Sequence, residues 1–184
     1  MSYKLISAGS FDDLTEISAC GFKEAINFNV SGKDDTIDLY LKAAILDAEH
    51  ESGISIYNSV WEMQIEDFKS VVEIAKTPVT GIDSVSYFDI SNSEVEMSLN
   101  TDYTVDVVSK PARIYFKNTP AVYPYRMDAV KIKFRTGWSD GIPEDIISSI
   151  YMVAGDYLIN PHDAVRQFPT ISKNLLRNHR MFYP

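Results

Sequence analysis

The chain has 184 residues and a mass of 20.8 kDa, with 45% apolar and 23% charged side chains. That length is one domain, or one domain with an elaborate insertion, and roughly 70% of the unfolded surface is buried on folding; the single cysteine, Cys20, excludes an internal disulfide and any multi-cysteine metal site. Seventeen basic against 26 acidic residues give a formal charge of −9, which argues against a protein whose main task is gripping phosphate backbones. No apolar run approaches the about 18 residues of a membrane span, and Met1-Ser2-Tyr3-Lys4-Leu5 lacks the apolar stretch of a signal peptide.

Tyr3 to Ile6 has the composition of a short strand. Ser18 is placed as an N-cap for a short helix over Ala19 to Asn27, with Phe22, Ala25 and Ile26 on one side. After the polar break Ser31 to Asp35, Ile37, Leu41, Ala44, Ile45 and Ala48 recur at the helical period, which predicts a helix over Asp35 to Glu51. Asp34 and Asp35 suit its positive end and Gly53 its stop.

From Ile54 to about Gly137 the period becomes two. Strands are expected from Val60 to Phe68, Val71 to Ile74, Ile82 to Ile90, Glu94 to Leu99, Tyr103 to Val108, Arg113 to Phe116 and Ala129 to Thr136. Thr77-Pro78-Val79 and Ser109-Lys110-Pro111 are breaks, and Asn118 to Tyr125 is an irregular loop. In the last strand Val130, Ile132 and Phe134 share one face and Lys131, Lys133 and Arg135 the other. The helical period returns with Pro143 in the first turn, followed by Glu144 and Asp145 and an apolar face from Ile146 to Leu158. Asn160-Pro161 ends it, and a basic, aromatic tail follows with a short helix around Ile171 to Asn178.

The resulting fold class is α+β: a small helical unit, a β-strand-rich insertion between its second and third helices, and a C-terminal tail. The divisions fall at 1–53 for the N-terminal helical segment, 54–140 for the β insertion, 141–162 for the third helix and 163–184 for the tail.

Candidate chemistry is sparse. There is no phosphate-binding glycine loop, and His50, His162 and His179 lack helical metal-ligand spacing. His50 between Glu49 and Glu51 reads as a solvated histidine more readily than as a general base. Asp102 and Asp106 on one strand face stand about 13 Å apart, too far for a carboxylate dyad. Cys20 reads as a small core residue. The stripe Lys131, Lys133 and Arg135 reads as solvated or ion-paired. Tyr123-Pro124-Tyr125 is a possible partner-contact loop, set against the plainer reading that these rings cover a sheet edge. Arg177, Arg180, Met181, Phe182 and Tyr183 are residue types enriched at interfaces, which points to a docking tail.

The run Leu41-Lys42-Ala43-Ala44 to Glu49, then Ser52-Gly53 and Ser59-Val60-Trp61-Glu62, is similar to the opening of the head–tail connector (adaptor, or head completion) proteins of tailed bacteriophages. Pro78-Val79, Ile82 to Tyr87, Tyr103 to Asp106 and Pro111 to Ile114 resemble that family's middle strands and turn, in the same order. Ala129 to Trp138 and Ile142 to Ile146 resemble its last strand and third helix. The resemblance spans about residues 15 to 160; Trp138 departs from the usual tyrosine-like position, and the tail past Pro161 has no counterpart.

The resemblance implies a non-enzymatic structural virion protein without cofactor or metal. Such proteins form a ring, typically dodecameric, below the portal protein at the capsid vertex. The implied partners are the portal, neighbouring copies and the next neck or tail protein. DNA passes through the channel without specific binding, no membrane is involved, and assembly takes place in the host cytoplasm. The alternative from the residues alone is a β-rich sugar- or protein-binding module using Tyr123 and Tyr125. A hydrolase built on Asp102, Asp106 or His50 ranks last.

Overall fold

The computed structural model describes residues 1–27, 34–160 and 170–180. It divides into two compact units. One combines Met1–Gly9 with Tyr57–Ser139; the other combines Ser10–Ile56 with the described residues from Asp140 onward. The N-terminal segment expected over residues 1–53 is therefore divided, because the first strand pairs along the second and runs with the sheets.

The β unit holds two antiparallel sheets. Strands β1 (Ser2–Ser7), β2 (Ser59–Ile65), β8 (Val130–Thr136), β4 (Val79–Phe88) and β5 (Glu94–Glu96) form the larger, in that order. Strands β3 (Val71–Ile74), β7 (Ala112–Phe116) and β6 (Tyr103–Asp106) form the smaller. Strand β8 is central because its alternation is strict: Val130, Ile132, Phe134 and Thr136 are buried, and Lys133 and Arg135 are exposed. Its register sets Phe134 opposite Trp61 and Ile82, and Ile132 opposite Met63 and Val85. Val72, Ile74, Tyr103, Ile114 and Phe116 of the smaller sheet join them in one apolar cluster. Each fully buried side chain of this size contributes about 1.5–3 kcal/mol. The two expected breaks contain the cis peptide bonds Thr77–Pro78 and Lys110–Pro111.

The helical unit holds α1 (Ala19–Ala25), α2 (Asp34–Ser52), α3 (Glu144–Ile159) and α4 (Thr170–Arg177). Ser18 caps α1 as expected, its side chain accepting from the Gly21 N–H. Gly53, at φ +74°, ends α2 while its N–H donates to the Glu49 carbonyl at 2.8 Å. Ile37, Leu41, Ala44, Ile45 and Ala48 of α2 are buried, as are Ile146, Ile150, Val153 and Ala154 of α3, and the two helices pack together. The Tyr157 hydroxyl reaches Asp47 across that seam, and its ring lies 6.2 Å from Tyr40. Helix α4 packs on α3 and α2, with Leu176 buried.

Further local expectations change. Pro143 is the N-cap of α3 and lies outside its first turn, since its ψ of 139° is extended. On α1 only Phe22 is buried; Ala25 and Ile26 are exposed, because one turn past Phe22 the helix face has left the core. Cys20 is exposed too, on the side of α1 opposite Phe22 and near Glu24.

Candidate interaction surfaces

The residues considered for catalysis build turns or lie in solvent. Asp102 accepts from the Ser98 N–H at 2.8 Å and from the Asn118 amide at 3.0 Å. Those two bonds, the Ser98 one first, hold its carboxyl below the usual carboxylate range. Asp106 accepts from the Ser109 hydroxyl at 2.6 Å and from the N–H groups of Ser109 and Val108, which lowers its pKa in the same way. Both are Asx-type turn makers, Asp102 just before β6 and Asp106 at its end. His50 is exposed at the end of α2, while its neighbour Glu49 accepts from the Ile56 N–H at 2.6 Å. His162 lies outside the described residues. Among the described residues no group of His, Cys, Asp and Glu could hold a metal ion.

Two of the three side chains of the basic stripe on β8 are ion-paired. Arg135 meets Asp83 at 2.8 Å, Lys131 meets Glu94 at 3.4 Å, and Lys133 stands opposite Glu62 on β2. The Ser86 hydroxyl, together with Lys131, lowers the Glu94 pKa.

The aromatic loop after β7 is tied down at several points. The Tyr123 N–H donates to the Phe88 carbonyl at 2.9 Å, and Val122 bridges to Asp89. The Arg126 guanidinium lies 3.5 Å over the Phe88 ring and grips Asp128 with two bonds of 3.0 and 2.7 Å, plus Asn92 at 3.1 Å. That bidentate pair holds the Asp128 carboxyl low. Tyr123 and Tyr125 meet edge to face at 5.9 Å. Yet Tyr125 is 87% exposed and Met127 81% exposed, so the loop covers an edge with one side and leaves large apolar groups outside with the other. A cleft of about 670 Å³ opens there, between Tyr125, Met127, Pro124 and Ala121 and the carboxylates of Glu66 and Asp67. Sequence reading found the tyrosines; it missed Met127 and the two acids, which follow β2 roughly sixty residues earlier.

Of the tail residues, Arg177 is exposed at the end of α4 and Arg180 is exposed just beyond it. Between them His179 pairs with Asp145 at 2.7 Å, and Lys173 meets Glu51 at 3.5 Å, so this stretch of the tail is folded onto the helical unit. Met181, Phe182 and Tyr183 lie outside the described residues.

Charge is unevenly divided. The helical unit, taken as Ser10–Ile56 with residues 140–184, holds 15 acidic and seven basic residues, a balance of −8; the β unit holds 11 and ten, a balance of −1.

The same arrangement of helices and sheets occurs in known particles. The chain has the fold of chains found in gene transfer agent necks. A chain from the neck of the empty gene transfer agent particle, computed with C6 symmetry, matches with a TM-score of 0.79 and 16% identity, over 100% of this chain and 97% of that one. A chain of the native gene transfer agent virion matches at 0.79 and 15%, and one from the native neck with C12 symmetry at 0.75 and 16%, with the same coverage. No protein-family model and no curated protein matches the sequence. No described helix is long and apolar enough to cross a membrane.

Proposed function

We propose that this chain is a structural head–tail connector of a tailed phage-like particle. Copies form a ring below the portal, extend the DNA channel and dock the next neck or tail component. The observation that carries this reading is the fold match over the whole chain to chains of neck assemblies with sixfold and twelvefold symmetry. The ordered sequence resemblance supports it independently, since it rests on motifs and not on shape.

The charge division supports a more detailed reading. A surface of net −8 repels phosphate, which suits a unit that faces sliding DNA. The helical unit therefore builds the ring wall, and the β unit, close to neutral, faces the neighbouring layer. Arg177, Arg180, Met181, Phe182 and Tyr183 dock on the portal or on an adjacent subunit, and the Tyr123–Tyr125 loop is a second contact. The ring assembles in the host cytoplasm and needs no cofactor.

The test is the mass of the purified protein alone and mixed with an isolated portal ring of the same particle. Co-migration at a fixed ratio, with twelve copies per portal expected, supports the connector role. A protein that stays apart from the portal at every concentration overturns it.

A further inference from the structure

The cleft beside the aromatic loop has large apolar groups in it and a negative rim. Tyr125 and Met127 stand mostly in solvent, and Arg126, the cation within the cleft, is taken up by Asp128. Glu66 is exposed with no ion-pair partner among the described residues, and Asp67 beside it accepts the Phe68 N–H at 2.7 Å and pairs with no described cation. Such a cleft suits a cation set next to apolar side chains. The loop joining β6 to β7 presents that combination. Val108 is 88% exposed, Val107 beside it is exposed as well, and Lys110 is exposed with no ion-pair partner among the described residues. The loop is also preformed: Asp106 accepts from the Ser109 hydroxyl and from the N–H groups of Val108 and Ser109. An apolar tip that is already ordered loses little conformational freedom on insertion.

Loop and cleft lie at opposite ends of the smaller sheet. Residues 66–70 pass from β2 to β3 at the cleft end, where Phe68 packs on Tyr87 and Phe116 and the Ser70 carbonyl accepts from the Phe116 N–H. Phe116 pairs with Tyr103 at the start of β6, whereas the loop leaves β6 at Asp106, which pairs with Arg113. The length of β7, about 13 Å, separates the two, and a loop tied down at Asp106 cannot fold back into its own chain's cleft. We infer that the β6–β7 loop of one copy fills this cleft on a second copy. Val107 and Val108 lie against Tyr125 and Met127, and Lys110 faces Glu66 and Asp67. The cleft's volume of about 670 Å³ is within the range of sites that bury a ligand of a few side chains. A loop that inserts and a cleft that receives are two different surfaces on one chain, the requirement for a head-to-tail contact. The inference gives the aromatic loop its partner, and it rests on the connector reading only in needing copies side by side.

Disulfide trapping between two chains of different mass tests it. Cys20, exposed and the sole cysteine, is first changed to Ser in both. One chain then carries Met127→Cys and the other Val108→Cys, and the mixture is oxidised alone and on the portal ring. The expected product is a mixed dimer. Its yield falls roughly tenfold when Glu66→Lys and Asp67→Lys are added to the first chain, and recovers when the second also carries Lys110→Glu, as restoring an interfacial charge pair does. Leu39→Cys, exposed on α2, replaces Val108→Cys as the background control, and melting curves verify that each variant is folded. Mixed dimer no greater than this control in both mixtures, an equal yield with the reversed rim, or no recovery with Lys110→Glu overturns the inference. A mixed dimer from a protein that ignores the portal sinks the connector reading and leaves this contact standing; portal binding without trapping does the reverse.

Discussion

Asn58 is held between two glycines, and each tolerates no side chain. A Cβ on Gly137 would stand 2.0 Å from the Asn58 Oδ1 and 2.9 Å from its Cα, and φ there is +128°. A Cβ on Gly9 would stand 2.4 Å from the Asn58 carbonyl oxygen. Backbone on the far side cannot move away as a flexible side chain would. Gly137→Ala should therefore cost about 3 kcal/mol or more. Gly53→Ala, with φ +74° but nothing within 4 Å, should cost only about 1–2 kcal/mol. Denaturant melts of the two variants check the order; equal losses would mean that strain alone, and not the Asn58 clash, sets the cost. Asp106 makes a second prediction. Its pKa is lowered in the folded state by the Ser109 hydroxyl and the N–H groups of Ser109 and Val108. A lowered folded pKa gives stability that is present above about pH 4 and lost as pH falls through the folded value. Asp106→Asn should flatten the drop in melting temperature below about pH 4, while an unchanged acid limb would show that the turn contributes nothing. In the sequence, Asp102 and Asp106 stand as two carboxylates on one strand face; their turn partners Ser98, Asn118 and Ser109 lie off the strand, where a period of two carries no signal.

At the scale of elements, the α2–α3 seam is the clearest place to break the helical unit. Ile150 is fully buried, whereas Met152, two residues on, is 44% exposed. Ile150→Asp leaves an unpaired carboxylate in an apolar seam and should cost about 3–5 kcal/mol. Met152→Asp should stay within about 0.5 kcal/mol of the parent. Thermal melts of both separate packing from helix propensity, since the substitution is to the same residue on the same helix; an Ile150→Asp chain that melts like the parent rejects the packing. These helices were legible because burial imposes the 3.6 period on sequence, and β8 because burial of one face imposes a period of two. Strand ends were less legible. Strands expected to run to Ile90 and Leu99 overshoot β4 and β5, because both apolar residues are exposed beyond the strands. The chain turns instead where Asn92 and Asn100 take positive φ of 60° and 67°. The partner of β1 was not legible at all. Its pairing with β2 spans more than fifty residues, and the burial pattern of a strand with one inward side chain, Tyr3, carries almost no period.

For the whole molecule, the informative quantity in the sequence was the sum of charges, and the informative quantity in the structure is where they lie. The candidate cleft shows the same limit: Tyr125 stands out beside Tyr123 in the chain, whereas Glu66 and Asp67 reach Tyr125 only through the fold. The division of charge gives a prediction with a definite sign. The helical unit carries −8 within 92 residues, and the ion pairs described on it join Lys23 to Asp34, Lys173 to Glu51 and His179 to Asp145. Partly exposed pairs of this kind contribute about 0–1 kcal/mol each, while unbalanced acids on neighbouring helices repel one another over a screening distance of about 30 Å at 0.01 M salt and about 8 Å at 0.15 M. Repulsion between many acids outweighs pairs of this strength. Raising sodium chloride across that range should therefore raise the melting temperature by about 2–4 °C, equivalent to roughly 1 kcal/mol. Chloride is the salt to use, because sulfate strengthens apolar burial by itself. A melting temperature that falls with salt would mean that the ion pairs prevail over the repulsion, and the acidic wall proposed for the channel side would lose its electrostatic basis.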